Sequence, residues 1–144
     1  MREKTAKGIL KGVKKTYSII AEDFSKTRRR DWAEFKEILP HINPGNKVAD
    51  IGCGNGRFFA FLNKKLKTKY TGIDNSTPLL QEARRLHKAK FIKGDLLKLP
   101  LKPETQDAVV CIASLHHIPS PTLRKKAILE LARITRPKGK LCLT

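Results

Sequence analysis

Acidic residues are scarce. The 144-residue chain holds 13 Asp and Glu against 31 Lys and Arg, a formal net charge of +18. A domain this basic attracts polyanions, nucleic acid first among them. Aromatic residues make up only 6% of the chain, which argues against a platform of stacked rings for single strands. The cysteines are Cys53, Cys111 and Cys142, with no Cys-x-x-Cys. That excludes a disulfide framework and a zinc site, and fits a reducing, cytoplasmic setting. Each cysteine lies in or beside an apolar run, where it packs as a small hydrophobe. No apolar run approaches the length of a membrane span, and no signal segment is visible. The basic N-terminus has the charge of a transit peptide, but Glu3 and its continuity with the domain argue against one. There is no internal repeat and no low-complexity tract.

What is present suits one domain over 1–144 with a real core. It divides into basic N-terminal helices over 1–45 and an α/β core over 46–144. Residues 1–30 carry ten basic and three acidic side chains. Within them Val13, Tyr17, Ile20 and Phe24 recur at helical spacing, extended by Ile9 and Leu10. The spacing predicts an amphipathic helix over about 9–24, frayed at Gly8 and Gly12. A membrane-surface helix is the rival reading, weakened by the modest apolar face. Asp31 is placed to cap a second helix over 32–39, with Trp32, Phe35 and Leu39 inward. Pro40 and Asn43-Pro44-Gly45 then turn the chain.

From there strands and helices alternate. Strands are predicted over 48–51, 69–74, 89–94, 108–113 and 140–144. Helices follow the glycine turn, Ser76-Thr77-Pro78, and Ser120-Pro121, the last running to about Arg136. This alternation predicts an α/β fold with a mostly parallel sheet and helices on both faces. The uninterrupted apolar run over 108–113 reads as a central strand.

The chemistry concentrates at the strand ends. The first strand runs into Gly52-Cys53-Gly54-Asn55-Gly56 and then a helix. Glycines allow a close backbone approach, and the helix start offers unpaired N–H groups. A dinucleotide fingerprint needs a glycine at the sixth position, where Arg57 stands. Asp74 ends the second strand, beside Asn75, where a carboxylate can accept ribose hydroxyls. Asp95 ends the third, beside Leu96; a hydride-transferring dehydrogenase does not need it. Taken alone, each acid is also an ordinary turn former. After the fourth strand come Ile112-Ala113-Ser114-Leu115-His116-His117. Adjacent histidines without a third ligand nearby are not read as a metal site. One packs inward, the other lines an acceptor pocket.

The core, residues 47–144, resembles the class I S-adenosylmethionine (SAM)-dependent methyltransferases, whose first motif matches Asp50 and the glycine turn. The whole chain resembles the wobble-uridine tRNA methyltransferases, which esterify carboxymethyluridine in the anticodon loop. That narrower resemblance rests on Tyr17-Ser18-Ile19-Ile20-Ala21, Phe24-Ser25, Thr27-Arg28, Trp32, the string from Ala49 to Arg57, Ile112-Ala113, His116-His117 and Arg136-Pro137. Two features depart from the pattern. Lys138 stands where the turn before the last strand usually begins with glycine. The C-terminal strand hairpin usual in this Rossmann-like fold is missing, so the chain is read as a fragment or as capped in another way.

The resemblance implies SAM as cofactor. Asp50, Gly52, Gly54, Asn55, Gly56, Asp74, Asn75, Asp95, Leu96 and Ile112 would bind it. Asp95 would take the adenine amino group, and the next backbone N–H a ring nitrogen. Arg28, His116 and His117 would position the acceptor or the cofactor carboxylate. The partners implied are tRNA and a small zinc-binding activator subunit, with no membrane. Two rival functions remain: methylation of a small molecule or lipid such as a quinone precursor, and RNA binding without catalysis.

Overall fold

The computed structural model describes residues 3–19 and 32–144. Five strands form one parallel sheet: β1 (Lys47–Ile51), β2 (Lys69–Asp74), β3 (Lys90–Lys93), β4 (Gln106–Cys111) and β5 (Thr135–Leu143). Their spatial order is β3-β2-β1-β4-β5. The order reverses between β1 and β4, and a doubly wound sheet opens a crevice at the carboxyl ends there. The helices are α1 (Glu3–Ile19), α2 (Ala33–Ile38), α3 (Arg57–Lys65), α4 (Thr77–Leu86) and α5 (Pro121–Ile134).

Strand periodicity sorts the core into two faces. Val48, Tyr70, Phe91, Ala108 and Val110 meet Phe35 and Ile38 of α2, Phe58, Phe61 and Leu62 of α3, and Leu80 and Ala83 of α4. Ala49, Ile51, Ile73, Val109 and Cys111 meet Leu131 and Ile134 of α5. Ser76 and Ser120 cap α4 and α5, each accepting the N–H three residues on, with Pro following at the first turn.

Several boundaries differ from expectation, each for a visible reason. α1 begins at Glu3, because Ala6 extends its apolar stripe and is fully buried against Ile118, Leu123 and Ala127. It runs through Gly8 and Gly12, whose Cα atoms face open space. Two helical glycines there cost about 1 kcal/mol each, which the packing of α1 absorbs. Ile20, Phe24 and Asp31 lie outside the described residues; Trp32 takes the cap position of α2 without a side-chain cap bond. β3 is one residue shorter at each end than predicted. β4 starts two residues early and stops at Cys111, because Ala113 adopts a φ of 51°. α5 ends at Ile134, and β5 pairs with β4 at once, Thr135 opposite Gln106. A register shift then brings Lys140 opposite Ala108, with Lys138 at a φ of 63° inside the irregular stretch.

The second face is fastened by α5. Glu130 accepts the Leu99 N–H at 2.8 Å, while Arg133 donates to the Leu99 and Leu101 carbonyls at 3.1 and 2.9 Å. Glu130 and Arg133 also pair with each other at 2.7 Å. The loop between β3 and β4 is thereby tied to the helix that covers it.

Candidate functional site

At the end of β1 the chain folds back over β2. The N–H groups of Gly52 and Cys53 both donate to the Ile73 carbonyl, at 2.7 and 3.1 Å. Gly52 has a φ of 76°, and a Cβ there would stand 2.0 Å from Ser114 Oγ. No other residue fits without moving the segment that follows β4. Gly54 has a φ of 54° and open space where a Cβ would stand. Its bare backbone therefore borders a cavity of about 480 Å³, within the range of small-molecule sites.

The acids converge on that cavity. Asp74 Oδ2 accepts the Gly54 N–H at 2.9 Å and Oδ1 accepts the Ser76 N–H at 2.8 Å. Burial raises its pKa above the usual carboxylate range, and these backbone bonds pull it partly back. A third backbone bond comes from Asn75, and a carboxylate has about four acceptor sites, which leaves room for one ligand hydroxyl. Asp50 is 2% exposed and accepts the Tyr70 hydroxyl at 2.5 Å. Burial, with a smaller push from Asp74, raises its pKa to about 7 against the opposing Tyr70 bond. The Tyr70 phenol is driven well up by burial and by the Asp50 charge. Asp95 is exposed; its Oδ1 accepts the Leu97 N–H at 2.8 Å, a tight side-chain turn at the cavity rim. The turn-former reading of Asp95 and its position at the cavity hold together.

Asp50, Gly52, Gly54, Asn55, Asp74, Asn75, Asp95, Leu96, Ile112, His116 and His117 all line this one cavity. Gly56 does not. It precedes α3 with a φ of 83°, and its Cα faces His87 and Phe91, away from the opening. Arg28 lies outside the described residues. Cys53, also at the cavity, is no nucleophile, because burial and the two nearby carboxylates raise its thiol pKa far above the usual value.

The opposite wall comes from α1 and the turn after β4. Leu10, Val13, Lys14 and Tyr17 of α1 face the cavity. Tyr17 Oη lies 2.9 Å from His117 Nε2, and the two rings meet edge to face at 5.3 Å. The His116 and His117 ring centroids are 4.1 Å apart. Burial lowers the His117 pKa, and the neighbouring His116 adds to the effect. At the rim, the Arg57 guanidinium sits 4.1 Å over the Trp32 ring. The α1 residues were not among the sequence candidates for the site. Their helical stripe marked an inward face, but spacing alone does not separate a face against the core from one against a cavity.

Chemically, the glycine corner suits a nucleoside and the ring-lined wall suits a second, planar molecule. Among the described residues no three His, Cys, Asp or Glu side chains gather as a metal set. No described helix is long and apolar enough to cross a membrane.

Comparison with known proteins agrees with this geometry. The family profile described as "Methyltransferase domain" matches residues 48–139. The chain is 37% identical over 129 residues to the tRNA (carboxymethyluridine(34)-5-O)-methyltransferase ALKBH8 of Mus musculus, covering 90% of this chain and 19% of that protein. It is 34% identical over 134 residues to the tRNA (carboxymethyluridine(34)-5-O)-methyltransferase of Arabidopsis thaliana, covering 93% and 32%. It thus spans between a fifth and a third of these relatives. Among solved structures, a SAM-dependent methyltransferase of Methanosarcina mazei matches with a TM-score of 0.69 and 26% identity, covering 74% of this chain and 55% of the other. A Haloferax volcanii methyltransferase, in complex with the Trm112 methyltransferase activator, matches in fold with a TM-score of 0.78 and 24% identity, covering 90% and 58%. With the glycine corner, the converging acids and the 3-2-1-4-5 sheet in place, the chain belongs to the methyltransferase domain family, in its class I, SAM-dependent fold.

Proposed function

We propose that the chain is the SAM-binding catalytic core of a tRNA methyltransferase that converts a carboxymethyl-type wobble uridine to its methyl ester. The observation that carries this reading is the gathering of Asp50, residues 52–55, Asp74 and Asp95 around a single cavity at the carboxyl ends of β1 to β3. The open space beside Gly54 and the remaining acceptor capacity of Asp74 fit the nucleoside of the cofactor. Asp74 would hold the ribose, Asp95 and the Leu96 N–H the adenine, and the glycine corner over Asp50 the amino-acid end. When bound, SAM supplies an electrophilic methyl group on its sulfonium. A carboxylate acceptor is already ionised, so no side chain has to remove a proton. The work left to this chain is alignment and exclusion of water.

The acceptor class is supported by the names of the relatives and by the charge of +18. The basic rows of α1 and of Arg124, Lys125 and Lys126 on α5 are suited to phosphate contact. A small activator, like the one in the Haloferax complex, is the protein partner proposed.

The test is transfer of radiolabelled methyl from SAM, with activator present, to tRNA and to a lipid extract from cells lacking the protein. We expect label in tRNA, and nucleoside mass spectrometry should find a methyl ester at the wobble uridine. Label in lipid alone would move the assignment to a small-molecule enzyme. Absence of SAM binding by calorimetry would leave an RNA-binding module.

A further inference from the structure

Helix α1 is fixed at two places of different character. Near its start, Ala6 is buried among Ile118, Leu123 and Ala127. Near its end, the Tyr17 hydroxyl meets His117 across 100 residues of sequence. Between them Leu10, Val13 and Lys14 face the cavity, so α1 forms one wall of it. Lys14 and Tyr17 are three residues apart and share a helix face.

We propose that Tyr17 is a positioning and specificity residue for the acceptor: it holds the His117 ring so that Tyr17, His117 and His116 frame a slot for a planar base, with Lys14 set to meet an anionic arm on that base. This rests on the tRNA reading above and deepens it. Two ring contacts and the hydrogen bond between Tyr17 and His117 carry the inference. The Tyr17 and His117 rings lie at 74° to each other, and His116 and His117 at 47°. Rings at such angles form the walls of a corner, not a closed stack. The hydroxyl meets the ring at Nε2, a contact open to either tautomer, and so fixes how the ring stands toward the acceptor. Burial favours the neutral imidazole. A cation beside aromatic walls suits a base bearing a carboxylate better than an uncharged lipid.

The experiment is a steady-state comparison of wild type, Tyr17→Phe, His117→Ala and the double variant, with activator, SAM and tRNA carrying carboxymethyl-type wobble uridine. Tyr17→Phe keeps the ring and removes the hydroxyl. We expect its KM for tRNA to rise about tenfold, as for one lost hydrogen bond to the acceptor wall, with SAM affinity held within about twofold. Adding Tyr17→Phe to His117→Ala should change KM by no more than about twofold, because the two act as a unit. A KM for Tyr17→Phe within twofold of wild type, or single effects that simply multiply, would overturn the proposal. Should wild type transfer no methyl to tRNA, the substrate reading is what fails. The positioning role is then decided by amide hydrogen exchange over residues 10–17. Exchange several-fold faster in Tyr17→Phe supports it, and equal rates overturn it.

Discussion

The two walls of the cavity are built by opposite means. The glycine corner joins neighbouring strands through short backbone bonds: Gly52 and Cys53 to Ile73, and Gly54 and Ser76 to Asp74. Every part lies within 27 residues of sequence, from Asp50 to Ser76, and its key acid, Asp50, is buried. The facing wall depends on contacts between α1 and the segment after β4, a hundred residues away. Its polar members, Lys14 and His116, are exposed, and Tyr17 and His117 half-exposed. A rigid, locally encoded half suits a ligand that never varies. A half assembled from distant, charged and exposed parts suits the ligand that sets specificity.

That contrast can be broken or sharpened by experiment. The largest effect is expected under the corner. The Asp50 pKa is raised from 3.8 to about 7, so the folded state holds this proton more tightly than the unfolded chain does. Its contribution to stability is therefore whole below pH 3.8 and is lost as pH rises through about 7. At 1.36 kcal/mol per pKa unit the loss is about 4 kcal/mol. Asp50→Asn keeps an acceptor for Tyr70 and removes the charge. The variant should melt above the wild-type protein at pH 8, with the gap closing toward pH 4. A gap independent of pH would mean that Asp50 does not titrate where its burial puts it.

Gly52→Ala comes next. The added Cβ meets Ser114 Oγ, and the φ of 76° is wrong for alanine. We expect about 2–3 kcal/mol of lost stability and no measurable SAM binding by calorimetry, with the loop after β4 displaced. The same change at Gly8, where α1 faces open space, should stabilise the protein by about 0.5–1 kcal/mol. If both changes have the same sign, the corner is not the constrained half.

The smallest effect is expected on the facing wall. Lys14→Ala should weaken tRNA binding by about threefold to tenfold and reduce the salt slope by about one, leaving SAM affinity unchanged. Filter binding at several salt concentrations checks it. A loss of SAM affinity equal to the loss for tRNA would erase the division between the walls.

The same division explains what was legible in the sequence. Asp50, Asp74 and Asp95 announce themselves because strand period and strand ends are local properties. Once the strands are assigned, parallel pairing brings their carboxyl ends together. The helix starts at Ser76 and Ser120 were equally plain, since Pro in a first turn is a local signal. Gly56 resembled its neighbours in the motif, yet its orientation depends on where α3 starts and on His87 and Phe91, which arrive from other elements. Tyr17 stood in a visible stripe whose partner could not be read from spacing, and Lys14 showed only as one of the many basic residues before it. The early start of β5 follows from pairing with Gln106, a contact that no window of residues 135–144 contains. Arg28 lies outside the described residues, and its part in the chemistry stays an expectation from resemblance.

The clamp on α5 has a mechanical consequence. Through Glu130 and Arg133 that helix grips the loop running from the Asp95 turn to β4, and through Leu123 and Ala127 it carries α1. One rod thus bears the rim where the adenine would rest and the arm that presents Tyr17. A tilt of that rod would shift both banks of the crevice together, so filling one bank could set the gap at the other with no hinge between them.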